Sequence, residues 1–396
     1  MQMTNLSREK RPFHLYTYLI MLYYLLVPME DFLTGSAGKY IAIFIIFLGV
    51  YSMRWKIYFK NNCVNWCLVY LLVLSFISIA WASDVSVAME RNVAYLLVPG
   101  LALLVGQLPF SEEEQEAIVS AGIAGGLAAA AYFIIPGRLD LLYRMHEIGT
   151  DKNVFAAGML LPLALSVKRA VSSGKAGKIF YFGCSLVFLL VILRTASRGA
   201  LVGVVAFALV YGFYASKGNR FRTFIGAAGI LVFVYFVVLP FVPEIIKQKL
   251  FDKQSYAKVV SSRDDRVAIW RIAFTHIIPQ SLPFGVGSGC APLRMEPFCG
   301  GRWGIHNTYI NMLCEYGIFG LPVFLWMLWS LFREKIRQKD LIEAALLAGI
   351  CVIIFFLDAY ARKYLWNIIM LLMIDKKARR LENVAMSHCD TMTNVR

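Results

Sequence analysis

Residues 179–215 read IFYFGCSLVFLLVILRTASRGALVGVVAFALVYGFYA. Two apolar runs, 179–194 and 199–215, flank one short polar connection. A bilayer-spanning helix needs about 20 mostly apolar residues and satisfies its own backbone groups. The stretch therefore reads as a hairpin of two membrane helices, with Arg194 and Arg198 where the chain leaves and re-enters lipid. The rest of the chain continues the pattern. Of its 396 residues 59% are hydrophobic and 16% charged, and the mean hydropathy is +0.62. That is too apolar for a single soluble core.

Working outward from the hairpin, the sequence predicts an all-α integral membrane protein of about 12 transmembrane helices. The expected spans are 14–33, 39–53, 63–82, 92–109, 115–135, 154–167, 179–194, 199–215, 223–242, 306–332, 341–358 and 363–374. Residues 1–396 form one polytopic membrane domain with one large extracytoplasmic loop, 243–305, between helices 9 and 10. No internal repeat or low-complexity linker divides it. The run from Leu15 to Leu33 reads as a retained first helix rather than a signal peptide.

The net charge of +15 is distributed along the chain as membrane topology requires, so no nucleic-acid partner is expected. Basic residues gather before the first span (Arg8, Lys10, Arg11) and at even-numbered ends, as in Lys168, Arg169, Lys175 and Lys178 or Arg333, Lys335, Arg337 and Lys339. The positive-inside rule then puts both termini in the cytoplasm. The acidic connection Ser111–Glu116 departs from the pattern, but acidic residues contribute little to the rule. The outer elements become 83–91, 136–153, 195–198, 243–305 and 358–363. The expected location is the cytoplasmic (inner) membrane, surrounded by its lipids, with the active face toward the periplasm or exterior.

Chemistry on that face has to come from these elements. The 243–305 loop carries nine Lys or Arg against five Asp or Glu, an excess that suits an anionic ligand. Within it Asp264–His276 reads as an amphipathic helix with Val267, Trp270 and Phe274 on one side. Arg263 and Arg266 can clamp phosphate oxygens two at a time, or pair with Asp264 and Asp265 on a wet helix surface. Pro283–Gly289 reads as a tight glycine turn; an anion nest is the other reading. Arg198 fits an interface anchor that snorkels to water and equally a phosphate ligand at a helix start. His306 sits at the outer start of the tenth span, and a continuous helix would place Gly317 and Gly320 on its face. Neutral imidazole accepts a hydroxyl proton near pH 7. The eight cysteines show no metal spacing; for Cys290 and Cys299 both a disulfide and a pair of inert thiols fit.

His306-Asn307, nine residues, then Gly317-x-x-Gly320 resembles the ligase signature of the O-antigen ligase and O-antigen polymerase superfamily of polytopic membrane glycosyltransferases. Thr195-x-Ser197-Arg198-Gly199, Arg266 four residues before Trp270, and Pro283-Phe284-Gly285-Val286-Gly287-x-Gly289 support the resemblance. It covers roughly Leu193 to Gly320; the first half is similar mainly in hydropathy, with Asp151-Lys152-Asn153 a further site element. The outer loop is more compact than the family's.

The resemblance implies a metal-independent, inverting glycosyltransferase without a cofactor. Its donor is a glycan on undecaprenyl pyrophosphate, its acceptor a hydroxyl of a glycolipid or glycan, in lipopolysaccharide or surface polysaccharide biosynthesis. Carried onto this chain, His306, Arg198 and Arg266 are catalytic, and Arg263, Asn307, Arg194 and Asn153 bind substrate. No Asp-x-Asp pair faces outward to hold a metal. The shared motif leaves open ligation of a finished glycan or polymerisation of O-antigen, capsule or exopolysaccharide repeat units. A transporter is the competing class, although carriers usually show paired halves and this chain shows none.

Overall fold

The computed structural model describes residues 12–29, 37–53, 60, 62–134, 151–216 and 266–374. The expected ninth span 223–242, Arg263 and residues 136–150 and 243–265 lie outside the described residues. Everything described is helix, turn or extended connection; among the described residues there is no strand. Among the described residues seven helices are long and apolar enough to cross a membrane: Cys63–Trp81, Val85–Gln107, Glu112–Phe133, Lys152–Ser172, Lys175–Arg194, Arg198–Ala215 and Thr308–Arg337. Four more, Leu15–Met29, Ala37–Ser52, Leu341–Ile353 and Lys363–Met373, are apolar but shorter.

The helices that matter to the site are α1 (Leu15–Leu26), α2 (Ala37–Ser52), α3 (Cys63–Ile77), α4 (Val85–Gln107), α5 (Glu112–Ile134), α6 (Lys152–Gly158) and α7 (Leu160–Ser172). They continue as α8 (Lys175–Arg194), α9 (Arg198–Ala215), α10 (Arg266–Ile272), α11 (Ile278–Ser281), α12 (Ala291–Cys299), α13 (Thr308–Arg337), α14 (Leu341–Ile353) and α15 (Lys363–Met373). Apolar faces of α1, α5, α7, α14 and α15 meet in one long core that includes Tyr16, Phe188, Leu346, Trp366 and Ile369.

Polar contacts sort to the two ends of this bundle in the alternation expected from the sequence. At one end Lys168 pairs with Glu343 and with Asp340 at 3.1 Å, and Lys335 with Glu343 at 2.9 Å. There too the His14 backbone N–H and Thr17 Oγ1 donate to Glu114. At the other end, called the site end below, residues 266–305 form a small cap. Ile269, Ala273, Ile277, Val286, Cys290 and Met295 share its core with Ala88 of α4 and Ile310 and Cys314 of α13.

Several boundaries differ from the sequence reading, each for a local reason. Residues 85–91, expected as an outer connection, are the first two turns of α4, because Asp84 caps them by accepting from the Val87 N–H at 3.1 Å. The expected 154–167 span runs longer, as α6 and α7, with a break at Met159. The eleventh helix stops at Ile353, leaving 354–358 as irregular chain. In the cap helix the buried side is Ile269, Ala273 and Ile277; Val267 and Phe274 are exposed. A π turn over Ala273–Ile277 widens the repeat beyond α spacing and carries that face around.

Helix α13 is not the continuous rod that the shared-face argument assumed. His306 precedes it with φ 52°, and Gly317 interrupts it with φ 59° and ψ −146°. The glycine loop enters the break. Pro283 O accepts from the Ile318 N–H at 3.1 Å, while the Val286 and Gly287 N–H groups donate to Cys314 O and Glu315 O at 2.8 and 3.1 Å. A Cβ on Gly317 would collide with Pro283 O, and one on Gly285 (φ 82°) with the Glu315 backbone. His306, Gly317 and Gly320 therefore share no uninterrupted helix face.

Cys290 and Cys299 are both free thiols. They stand at opposite ends of α12, about 13 Å apart at 1.5 Å per residue, and a bridge needs Cα atoms within about 7 Å. Burial pushes both thiols above their ordinary range.

Candidate functional site

The site is built on the irregular segment 354–362 between α14 and α15. Thr308, first residue of α13, ties it down: its N–H donates to Ile354 O (2.9 Å), its hydroxyl donates to Leu357 O (2.7 Å) and accepts from the Ala359 N–H (2.8 Å). Tyr309 OH donates to Cys351 O at 2.8 Å. Thr308 thus ties the start of α13 to this segment, and Tyr309 ties it to the end of α14.

Three motifs distant in sequence meet this segment. Gly199, beside Arg198 at the start of α9, lies against Phe356, where an added Cβ would approach to 3.0 Å. Trp270, one turn beyond Arg266, packs edge-on to Phe355 with ring centroids 5.4 Å apart and donates from Nε1 to Ile305 O at 2.9 Å. His306 follows Ile305 directly. The arginine-bearing helix starts and the histidine segment are therefore anchored on adjacent residues, 354 to 357.

Asn307 caps α13: its Oδ1 accepts from the Tyr309 and Ile310 N–H groups at 3.0 and 3.1 Å. Its Nδ2 is buried and meets no acceptor among the described residues. The buried Nε of Arg194 is in the same position. Arg198 is exposed and Arg266 half-buried. Asn153 is spent locally, donating from its backbone N–H and side chain to the Asp151 carboxylate at 2.8 and 3.1 Å. Its hydrogen bonds do not reach the His306 segment, and Arg263 lies outside the described residues.

Electrostatics add residues that the sequence reading passed over. Asp358 is held above the ordinary carboxylate range by desolvation, against the opposing pull of Arg91, Arg362 and His306. It accepts from the Tyr360 backbone N–H and from Asn311 Nδ2 at 3.4 Å. Arg91, on the second turn of α4, acts on both Asp358 and the buried Glu315. Glu315 accepts from Tyr95 OH at 3.3 Å and from the Gly289 N–H. An ionisable residue at the edge of an apolar run is by default a functional candidate, and that rule, applied to Arg91, Glu315, Asp358 and Arg362, would have found them.

The glycine turn braces this cluster and binds no anion of its own. Its N–H groups from Gly285 to Cys290 are taken by Ser281 O, Cys314 O, Glu315 O, Ser78 Oγ, the Glu315 carboxylate and Gly287 O. Ser288 Oγ joins Asn92 and Tyr316 in a buried chain of hydrogen bonds.

Residues 183–325 match the O-antigen ligase family. The match spans a little over a third of the chain. The matched stretch begins inside α8 and ends inside α13, so it contains Arg194, Arg198, Arg266 and His306, while Arg91, Asp358 and Arg362 come from outside it. The O-antigen ligase match agrees with the resemblance carried by His306-Asn307 and Gly317-x-x-Gly320. No curated protein matches the chain.

Proposed function

We propose that this chain is an inverting, metal-independent glycosyltransferase of about twelve spans in the cytoplasmic membrane, with cytoplasmic termini and its site toward the exterior. It moves a glycan from an undecaprenyl-pyrophosphate carrier to an acceptor hydroxyl, as a ligase. The observation that carries the reading is the anchoring of the Arg198, Arg266 and His306 motifs on one short segment, with Asp358 acting on His306. As the acceptor oxygen bonds to the anomeric carbon, the bond from that carbon to the phosphate oxygen breaks. The electron pair leaves on the diphosphate, where Arg198 and Arg266 neutralise it. The hydroxyl proton passes to the His306 imidazole, and Asp358 stabilises the cation so formed. Asn307 Nδ2 and Arg194 Nε are donors available to substrate oxygens.

The test is transfer by purified protein given lipid-linked repeats, with and without a lipid A-core acceptor. Strict need for that acceptor marks a ligase; a ladder of lengthening products marks a repeat-unit polymerase; flux with no bond made marks a transporter. His306→Ala is expected to abolish transfer while donor binding persists. Substantial residual turnover removes the histidine from its role as base.

A further inference from the structure

A second cavity opens at the site end, between α1, α2, α5, α6, α7 and α15, with a volume of about 400 Å³. Its lining includes three cations: Lys39 in the first turn of α2, and Arg362 and Lys363 where α15 begins. No carboxylate lines it among the described residues. Deeper in, the walls are apolar, with Val27, Phe155 and Leu161. The Tyr364 side chain also lines it; the residue is only 7% exposed and its hydroxyl is buried without a hydrogen-bond partner among the described residues.

Positive charge at the water boundary above an apolar cleft is the complement of an amphiphile with an anionic head. Lys39 and Arg362 are exposed and Lys363 is half-buried, so the rim offers cationic side chains to an anionic head above the apolar walls. A buried, unpaired tyrosine hydroxyl is costly unless something accepts its proton. The cavity is distinct from the Arg198–Arg266 surface: its lining shares no residue with α9 or α10. Arg362 is the link, because its charge also acts on Asp358, on which His306 acts as well.

We propose that this cavity holds a phosphate-bearing lipid, its head against Lys39, Arg362 and Lys363 and its chain along Val27 and Phe155. The lipid stands beside the reacting groups rather than among them. Tyr364 donates to a head-group oxygen, and Arg362 couples occupancy to Asp358.

Gly158 supplies the decisive variant. It lines the cavity, and a Cβ there meets nothing within 4 Å, so Gly158→Phe fills the space without a clash at its root. The full chain in neutral detergent is offered dioleoyl phosphatidic acid, undecaprenyl phosphate or dioleoylglycerol, and bound lipid is counted by native mass spectrometry. Retention of a phosphate lipid at about one per chain, with dioleoylglycerol lost, is expected. Lys39→Gln with Lys363→Gln is expected to weaken that binding about tenfold, Gly158→Phe to abolish it, and Arg266→Ala to leave the phosphatidic acid signal unchanged. The tighter of the two phosphate lipids identifies the source. Equal retention of dioleoylglycerol, or wild-type binding by the lysine double variant, overturns the proposal. Loss of phosphatidic acid binding on Arg266→Ala overturns it too, by moving that lipid to the transfer site. If Gly158→Phe fails to fold, the lysine double variant alone decides. Because binding is read without turnover, the outcome is independent of whether the chain transfers glycans.

Discussion

Replacing Asp358 with Asn keeps the shape of the side chain and removes its charge. The carboxylate faces Arg91, Arg362 and His306 and accepts from the Tyr360 N–H and Asn311 Nδ2. At about 5 Å and an effective dielectric near 20, one unit charge acting on another is worth about 3 kcal/mol. The amide retains a dipole, so about half to all of that is lost when a proton arrives on the imidazole. At about 1.4 kcal/mol per factor of ten, transfer is expected to slow about tenfold to a hundredfold. The fold is expected to survive, since desolvation already disfavours the ionised form. The sign of the pH effect follows from the raised carboxyl. Between the ordinary carboxylate value and the raised one, the folded chain holds a proton that the unfolded chain has released. Stability contributed by this group is present below that window and is lost as pH rises through it. Asp358→Asn removes that slope. Activity runs the other way: the wild type is expected to lose rate as pH falls through the raised value, and the variant to be slow throughout without that limb. The assay is steady-state transfer from lipid-linked donor across pH, with thermal unfolding in detergent alongside. A variant rate within twofold of wild type, with the acid limb retained, refutes the reasoning.

Arg266→Lys keeps the charge and loses the two-pronged guanidinium, so transfer is expected to fall at least about tenfold; an unchanged rate assigns Arg266 to surface pairing. Gly317→Ala places a methyl group against Pro283 O at a backbone conformation open mainly to glycine. It is expected to cost about 1–3 kcal/mol, measured by thermal or denaturant unfolding in detergent, and a wild-type midpoint would refute the locked break. Cys299, half-buried and unbridged, is expected to react with a maleimide as fully without reductant as with it; a reductant-dependent signal would mean a disulfide.

Much of the fold was readable from hydropathy, because every long apolar run has to find lipid or a neighbouring helix. Eleven of the twelve expected spans coincide with a helix among the described residues, and 223–242 lies outside them. What failed were features set by partners. Asp84 starts α4 early through a cap on Val87, and nothing in the apolar run from 92 onward marks that. The break at Gly317 exists because a loop thirty residues earlier in the chain supplies the hydrogen bonds α13 gives up. His306, Arg198 and Arg266 were legible as chemistry, being residue types matched to phosphate and proton transfer. Asp358 was not, since a lone carboxylate after an apolar run reads as a helix end until Arg91 arrives beside it from more than 260 positions away.

The seating of the glycine loop also limits how this architecture can be cut and rejoined. Its Ser288 N–H leans on Ser78, its Val286 carbonyl on Ser83, and Gly289 on the Arg91 stem, all of them upstream of residue 183. A chimera that grafts only residues 183–325 onto a foreign scaffold therefore imports a cap with no floor beneath it. The smallest portable module includes residues 75–95 and 354–362 as well.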